Sequence, residues 1–249
     1  MFNNRICLTL IIVLLIGSSV WAGPVITIDA LGAVRITFPG SINYEIGASV
    51  SSAGDFNGDG FRDAIIGAPA FESVDFSNEY NNGAVFIVSG AQLNRDRGEL
   101  DLSSSSFDGV TIFGQFESRI GGAVDWVKDF NGDGFDDIAI GSAVLKTGYI
   151  IFGSLKPRRL IPIKDLNESG VVVAHTGFSV SGAGDFNGDG FSDVVFGNPK
   201  SQKIQVKSGS TEKEYEACRV SVIFGSLESP PQIDSRIPSD NTFSIRESI

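Results

Sequence analysis

An all-β repeat protein is what this sequence predicts, on three observations. The nine-residue stretch Asp-Phe-Asn-Gly-Asp-Gly-Phe-x-Asp occurs three times, at residues 55–63, 129–137 and 185–193. Each copy runs into a short β-rich segment that stops at glycine: Ala64-Ile-Ile66 before Gly67, Ile138-Ala-Ile140 before Gly141, and Val194-Val-Phe196 before Gly197. No segment of useful length carries the 3.6-residue apolar period of a helix.

Taken in order, the chain begins with a secretory leader. Arg5 supplies a positive start, Ile6 to Ile16 an apolar centre, and Val20-Trp21-Ala22 a cleavage site, so residues 1–22 are expected to be removed. That apolar run is shorter than the ~20 residues a spanning helix needs, and no later stretch qualifies. Residues 23–249 are then one exported β region with no transmembrane segment. Thirty acids against nineteen bases argue against a nucleic-acid partner. Cys7 leaves with the leader and Cys218 stays alone, so the mature chain forms no internal disulfide. Asn167-Glu168-Ser169 is a glycosylation sequon.

The repetition extends beyond the nonapeptides. A glycine stands eight residues before each one, in Ile46-Gly-Ala-Ser-Val50, Ile120-Gly-Gly-Ala-Val124 and Thr176-Gly-Phe-Ser-Val180. After each come Gly67-Ala-Pro69, Gly141-Ser-Ala143 or Gly197-Asn-Pro199. A further strand follows and ends at a glycine: Ala84 to Gly90, Tyr149 to Gly153, Val220 to Gly225. Units are therefore expected at about 30–90, 91–153 and 154–226, each of several short strands divided by glycine turns. Residues 70–82 and 200–217 are long and polar, and are expected to be surface loops and candidate partner contacts.

Each nonapeptide brings side-chain oxygens from positions 1, 3, 5 and 9 into one tight turn, which suits a hard cation held by oxygens, Ca²⁺ above all. The expected ligands are Asp55, Asn57, Asp59, Asp63 and the Phe61 carbonyl in the first loop. In the second they are Asp129, Asn131, Asp133, Asp137 and the Phe135 carbonyl. In the third they are Asp185, Asn187, Asp189, Asp193 and the Phe191 carbonyl. About three Ca²⁺ ions per chain follow. The start of each loop fits the EF-hand pattern, but that pattern needs a bidentate Glu at position 12, where Ile66, Ile140 and Phe196 stand. A calcium loop between strands is the reading that remains. The phenylalanines at positions 2 and 7 are expected to pack beneath the loop.

Phe113-Gly114, Ile120-Gly-Gly-Ala-Val124, the three aspartate loops and Gly67-Ala-Pro69 together resemble FG-GAP repeats, the units of the integrin α-subunit N-terminal β-propeller. The resemblance covers most of residues 30–226. It implies four-stranded propeller blades with Ca²⁺ in a hairpin loop and an extracellular recognition or adhesion role, towards a protein or glycan. Phe38-Pro-Gly40 in unit one and Val171-Val-Val173 in unit three depart from the Phe-Gly pattern. A closed propeller typically has four to eight blades. The expectation is thus a partial propeller: three calcium-loop blades, with residues 227–249 starting a fourth through Pro231-Gln-Ile-Asp234 and Thr242-Phe-Ser-Ile245. Missing further blades or self-association would close it.

Catalysis is the competing class, because FG-GAP repeats also accompany phospholipase D-like enzymes. His175 is the only histidine and stands beside a repeat glycine, so it reads as a strand or turn residue, and no phosphate-cradling glycine loop opens a helix. The expectation is no catalytic residue and a structural role for Ca²⁺. A lectin-like propeller is the third reading; Trp126 is the one tryptophan left after leader removal.

Overall fold

A computed structural model describes residues 34–38, 44–72, 82–95, 98–208, 211–228, 232–234 and 242–246, with backbone alone over 200–218 and 242–246. The leader at 1–22, Gly40 and residues 73–81 lie outside the described residues. In chain order the elements are β1 (Val34–Thr37), β2 (Ser49–Gly54), β3 (Asp63–Ala68), β4 (Ala84–Val88), the one-turn helix α1 (Gly90–Arg95), β5 (Gly98–Asp101) and β6 (Gly109–Phe113). Then come β7 (Ala123–Lys128), β8 (Asp137–Ser142), β9 (Thr147–Ile151), β10 (Leu160–Pro162) and β11 (Gly170–Ala174). The last are β12 (Ser179–Gly184), β13 (Asp193–Ser208), β14 (Thr211–Ile223), β15 (Gln232–Asp234) and β16 (Thr242–Arg246). Among the described residues no helix is long and apolar enough to cross a membrane.

The protein is nearly all β, and its strands form a partial β-propeller. Three antiparallel meanders follow one another: β2-β3-β4-β6, β7-β8-β9-β11 and β12-β13-β14-β16. Between the third and fourth strands of a meander the chain detours to the preceding sheet. There β10 adds parallel to β6 and β15 adds parallel to β11, stitching one blade to the last. β5 pairs with β1 in the same parallel sense. These pairings offset the sheets from the sequence units. The strands at 109–113 and 170–174 complete the first and second sheets, and Thr242–Arg246 pairs with β14 of the third instead of leading a fourth unit. Likewise the polar 200–217 stretch is largely an antiparallel ribbon extending β13 and β14, where a loop was expected. Strand pairing across the detour decides membership, and periodicity along the chain does not report it.

The second strands show why the sequence reads as it does. β3 and β8 are buried along their whole length, which is what a strand sandwiched by neighbours on both faces requires, and hence their near-continuous apolar runs. Three apolar layers result. Ile65, Ile87 and Ile112 of the first blade meet Ile138, Ile140 and Ile151 of the second. Val127, Phe130, Ile150 and Val171 meet Val194, Phe196 and Ile223 of the third. Val34, Ile66, Phe71, Phe86 and Leu100 form a layer on the opposite face of the first blade, under β1 and β5.

At the inner ends, β2, β7 and β12 are joined through Asp125. It accepts from Ser51 Oγ at 2.7 Å on one side, and from Ser181 Oγ at 3.0 Å and the Gly182 amide at 3.1 Å on the other. The glycine after each apolar run has a packing reason. A Cβ on Gly67 would stand 2.0 Å from the Gly121 carbonyl oxygen, and one on Gly141 2.4 Å from that of Gly177, so neighbouring blades nest backbone on backbone.

Candidate metal centre

Each nonapeptide connects the first and second strands of a blade, and each follows a register shift: Ser52/Gly54, Trp126/Lys128 and Gly182/Gly184. The shift aims position 1 into the turn. There its carboxylate is gripped by the loop's own amides. Asp55 accepts from Asp59 N at 2.9 Å and Gly60 N at 2.9 Å. Asp129 accepts from Gly132, Asp133 and Gly134, and Asp185 from Gly188, Asp189 and Gly190. Position 6 is glycine because the turn takes φ of +86°, +91° and +96° at Gly60, Gly134 and Gly190.

Positions 3 and 5 are drawn together in every copy. Asn57 Nδ2 donates to Asp59 Oδ2 at 3.0 Å, Asn131 to Asp133 at 2.9 Å and Asn187 to Asp189 at 2.8 Å. The position 5 carboxylates in turn accept from the amides of Phe61, Phe135 and Phe191, which carries those three carbonyl-bearing residues into the same turn.

Position 9 is different: it opens the second strand and is buried. Asp63 accepts from Gly90 N, Asp137 from Phe130 N and Gly153 N, and Asp193 from Phe186 N and Gly225 N. It therefore ties the loop to the glycine after the blade's third strand. Burial pushes the Asp63 carboxyl up to about 7 and the Asp137 carboxyl up to about 8; amide hydrogen bonds oppose the rise, while the carboxylates at positions 1 and 5 reinforce it. Asp193 is raised as well, by burial first.

Within each loop, positions 1, 3, 5 and 7 thus share one hydrogen-bonded turn, and position 9 opens the strand that follows it. Among the described residues no three His, Cys, Asp or Glu side chains form a ready-made cation cage. One observation fits a cation all the same. Oδ2 of Asp63 is buried without a hydrogen-bond partner, although the nearby Phe56 amide favours its charged form. An ionised carboxylate oxygen in that condition is costly, and a hard cation satisfies it.

The phenylalanines divide by position. Phe56 and Phe130, at position 2, are wholly buried, while Phe186 is 65% exposed. At position 7, Phe135 and Phe191 lie over Gly58 and Gly132 of the preceding blade's loop, and Phe61 is 47% exposed. Position 7 therefore packs across a blade boundary and not beneath its own loop. Spacing alone missed Asp136, whose Oδ2 accepts from Asp55 N at 2.7 Å and so links the second loop to the first. Position 8 is Arg62, Asp136 or Ser192, so nothing in the repeat marks it. His175 sits in a turn after β11 at φ +66°, its Nε2 4.0 Å from Asp234. Trp126 is flanked by Arg62 and Lys128, 5.1 Å and 5.9 Å from its ring centre.

The loop–strand pattern has a name among known proteins. The FG-GAP repeat family matches residues 47–88 and 176–210. The chain carries FG-GAP repeats. It is 32% identical over 168 residues to phosphatidylinositol-glycan-specific phospholipase D of Bos taurus, covering 62% of this chain and 18% of that protein. It is 29% identical over 160 residues to integrin alpha-PS3 of Drosophila melanogaster, covering 61% and 13%. To integrin alpha-7 of Mus musculus it is 31% identical over 146 residues, covering 58% and 11%. The matches thus take in less than a fifth of each relative's length. This is an FG-GAP, integrin-alpha-like propeller region.

Proposed function

We propose that this FG-GAP region is a secreted, calcium-binding recognition module, integrin-α-like, in which Ca²⁺ shapes the blades and does no chemistry. The partner is an extracellular protein or glycan. The observation that carries the calcium reading is the threefold recurrence of one oxygen-rich loop, with the unpartnered buried Asp63 Oδ2 in the first copy. The ligands would be the side chains at positions 1, 3, 5 and 9 with the position 7 carbonyl, about three ions per chain. When bound, the ion supplies positive charge and a fixed point for loop oxygens; it polarises no substrate in this reading. Export rests on the leader at residues 1–22, and an adhesion role on the integrin alpha relatives.

A second reading, a non-catalytic propeller portion of a larger phospholipase D-like enzyme, is favoured by the similarity to the bovine phospholipase. A glycan-binding propeller is less supported, because cationic side chains flank the Trp126 ring. Calorimetry of Ca²⁺ into the chelator-stripped mature chain tests the calcium reading: about three sites are expected, and no heat with no change in β-structure overturns it.

A further inference from the structure

The three loops are alike in sequence, yet the residue beside them is not. The position just before the clamping glycine is Phe152 in the second blade and Phe224 in the third, but Ser89 in the first. In the second blade that ring stacks on the position 2 ring, with Phe130 and Phe152 centres 6.4 Å apart at 23°. In the first blade no ring is present, and the space is a cavity of about 240 Å³ lined by Phe56, Asn57, Asp59, Asp63, Ser89 and Arg159, among others. Three of the expected cation ligands thus face one cavity. Asp63, only 3% exposed, lies in the cavity wall, and its Oδ2 is buried without a hydrogen-bond partner. Ser89, equally buried, donates its hydroxyl to Asp59 Oδ2 at 3.2 Å.

We propose that the first loop holds its divalent cation in an open shell, in which the Ser89 hydroxyl is an added oxygen ligand and water from the cavity completes the coordination. The proposal rests on the calcium reading above. Its chemistry is simple: Ca²⁺ takes six to eight oxygens, the loop supplies about five, and a hydroxyl and water are ordinary members of such a shell. The cavity also has room for water, since it exceeds the ~30 Å³ share of one water and has polar partners.

Ser89 has a structural task as well. Its Oγ accepts weakly from Gln92 N at 3.5 Å at the start of α1. Ser89→Gly separates the two roles, because glycine replaces serine at a helix start at a cost of only a few tenths of a kcal/mol, about the smallest change available. Ser89→Phe installs the residue of the other loops. The test is Ca²⁺ calorimetry on the mature chain, with Tb³⁺ luminescence decay in H₂O and D₂O to count metal-bound waters. In the parent protein one site is expected to differ from the other two. Ser89→Gly should weaken that site about tenfold, the low end for loss of a supporting group. Ser89→Phe should lower the total of bound waters. Unchanged affinity and water number in both variants, with calcium still bound, overturns this inference alone. No metal uptake by the parent overturns the calcium reading itself. If Ser89→Phe does not fold, the affinity of the single site in Ser89→Gly decides.

Discussion

The second and third aspartate loops have the same residues at eight of nine positions, but their position 2 rings fare oppositely. Phe130 is wholly buried and Phe186 is 65% exposed. What differs is the neighbour: the third blade covers the second loop, whereas no described blade follows the third. The loop therefore does not bury its own phenylalanine; the next blade does. Position 7 gives the mirror image, since Phe135 and Phe191 lie on a preceding loop while Phe61, in the first blade, is 47% exposed. Each blade boundary is one reciprocal joint, with ring 7 of one blade over glycine 4 of the other. Backbone bonds across the joint, Ser154 N to Phe56 O at 3.0 Å and Ser192 N to Asp129 O at 3.0 Å, hold it in register.

The sharpest way to break that comparison is to truncate both rings. Phe130→Ala should cost about 3–5 kcal/mol, as deletion of a buried aromatic does. Phe186→Ala should stay within about 0.5 kcal/mol, as surface changes do. Urea unfolding of the two variants measures the contrast, and equal losses would mean that the loop itself supplies the packing.

Calcium removal comes next. Each site at tenfold excess over its Kd contributes about 1.4 kcal/mol, so chelator should lower the Tm, and Asp59→Ala or Asp133→Ala should each remove one ion from the stoichiometry. The metal-free chain should also show a pH signature. Asp63 and Asp137 titrate at about 7 and about 8 in the fold, above their ordinary 3.8. Between those values the native chain binds more protons than the unfolded one, so stability is highest on the acid side and falls as pH rises through 7 to 8. Saturating Ca²⁺ should flatten that slope, because the ligands are then ionised throughout. A metal-free chain whose Tm rises over the same range would contradict it.

A smaller contrast lies between two glycines. Gly132 and Gly188 both occupy loop position 4 at φ of +77° and +80°, so alanine brings the same backbone strain, about 1–2 kcal/mol, to each. Only at Gly132 would the new Cβ also strike a neighbour, Phe191 at 2.5 Å, whereas Gly188 meets nothing within 4 Å. Gly132→Ala should therefore be the worse variant by about 1–3 kcal/mol in thermal melts. Equal costs would place the joint elsewhere than at ring 7.

Much of this was readable in advance, for a definite reason. The hydrogen-bonded aspartate turns and the apolar runs of β3 and β8 are local patterns, and local chemistry fixes them. The fourth strand of each blade lies beyond a detour, and a strand such as Gly109–Phe113 carries no mark of which sheet it joins. The Asp125 link between Ser51 and Ser181, and the cavity opened by Ser89, were hidden for the same reason: each depends on residues tens of positions apart. Repetition shows what recurs, and a device made by one unit's deviation looks like noise until the units are superposed in space.

Lys128 is such a deviation, and it offers the smallest and most direct test. Just before each loop the backbone turns left-handed, with φ of +62° at Gly54, +60° at Lys128 and +65° at Gly184. Two units use glycine there, and the second forces a lysine into a region that disfavours side chains by about 1–2 kcal/mol. Part of that is returned by the lysine ammonium, 5.9 Å from the Trp126 ring centre and so near the outer limit of a cation–π contact. Glycine would relieve the strain but add freedom to the unfolded chain, which offsets up to about 1 kcal/mol. Lys128→Gly should raise stability by about 0.5 kcal/mol, read from paired urea melts. If it lowers stability instead, the contact with Trp126 outweighs the strain, and the lysine holds the joint between the first two blades through Trp126, which also carries Arg62 of the neighbouring loop.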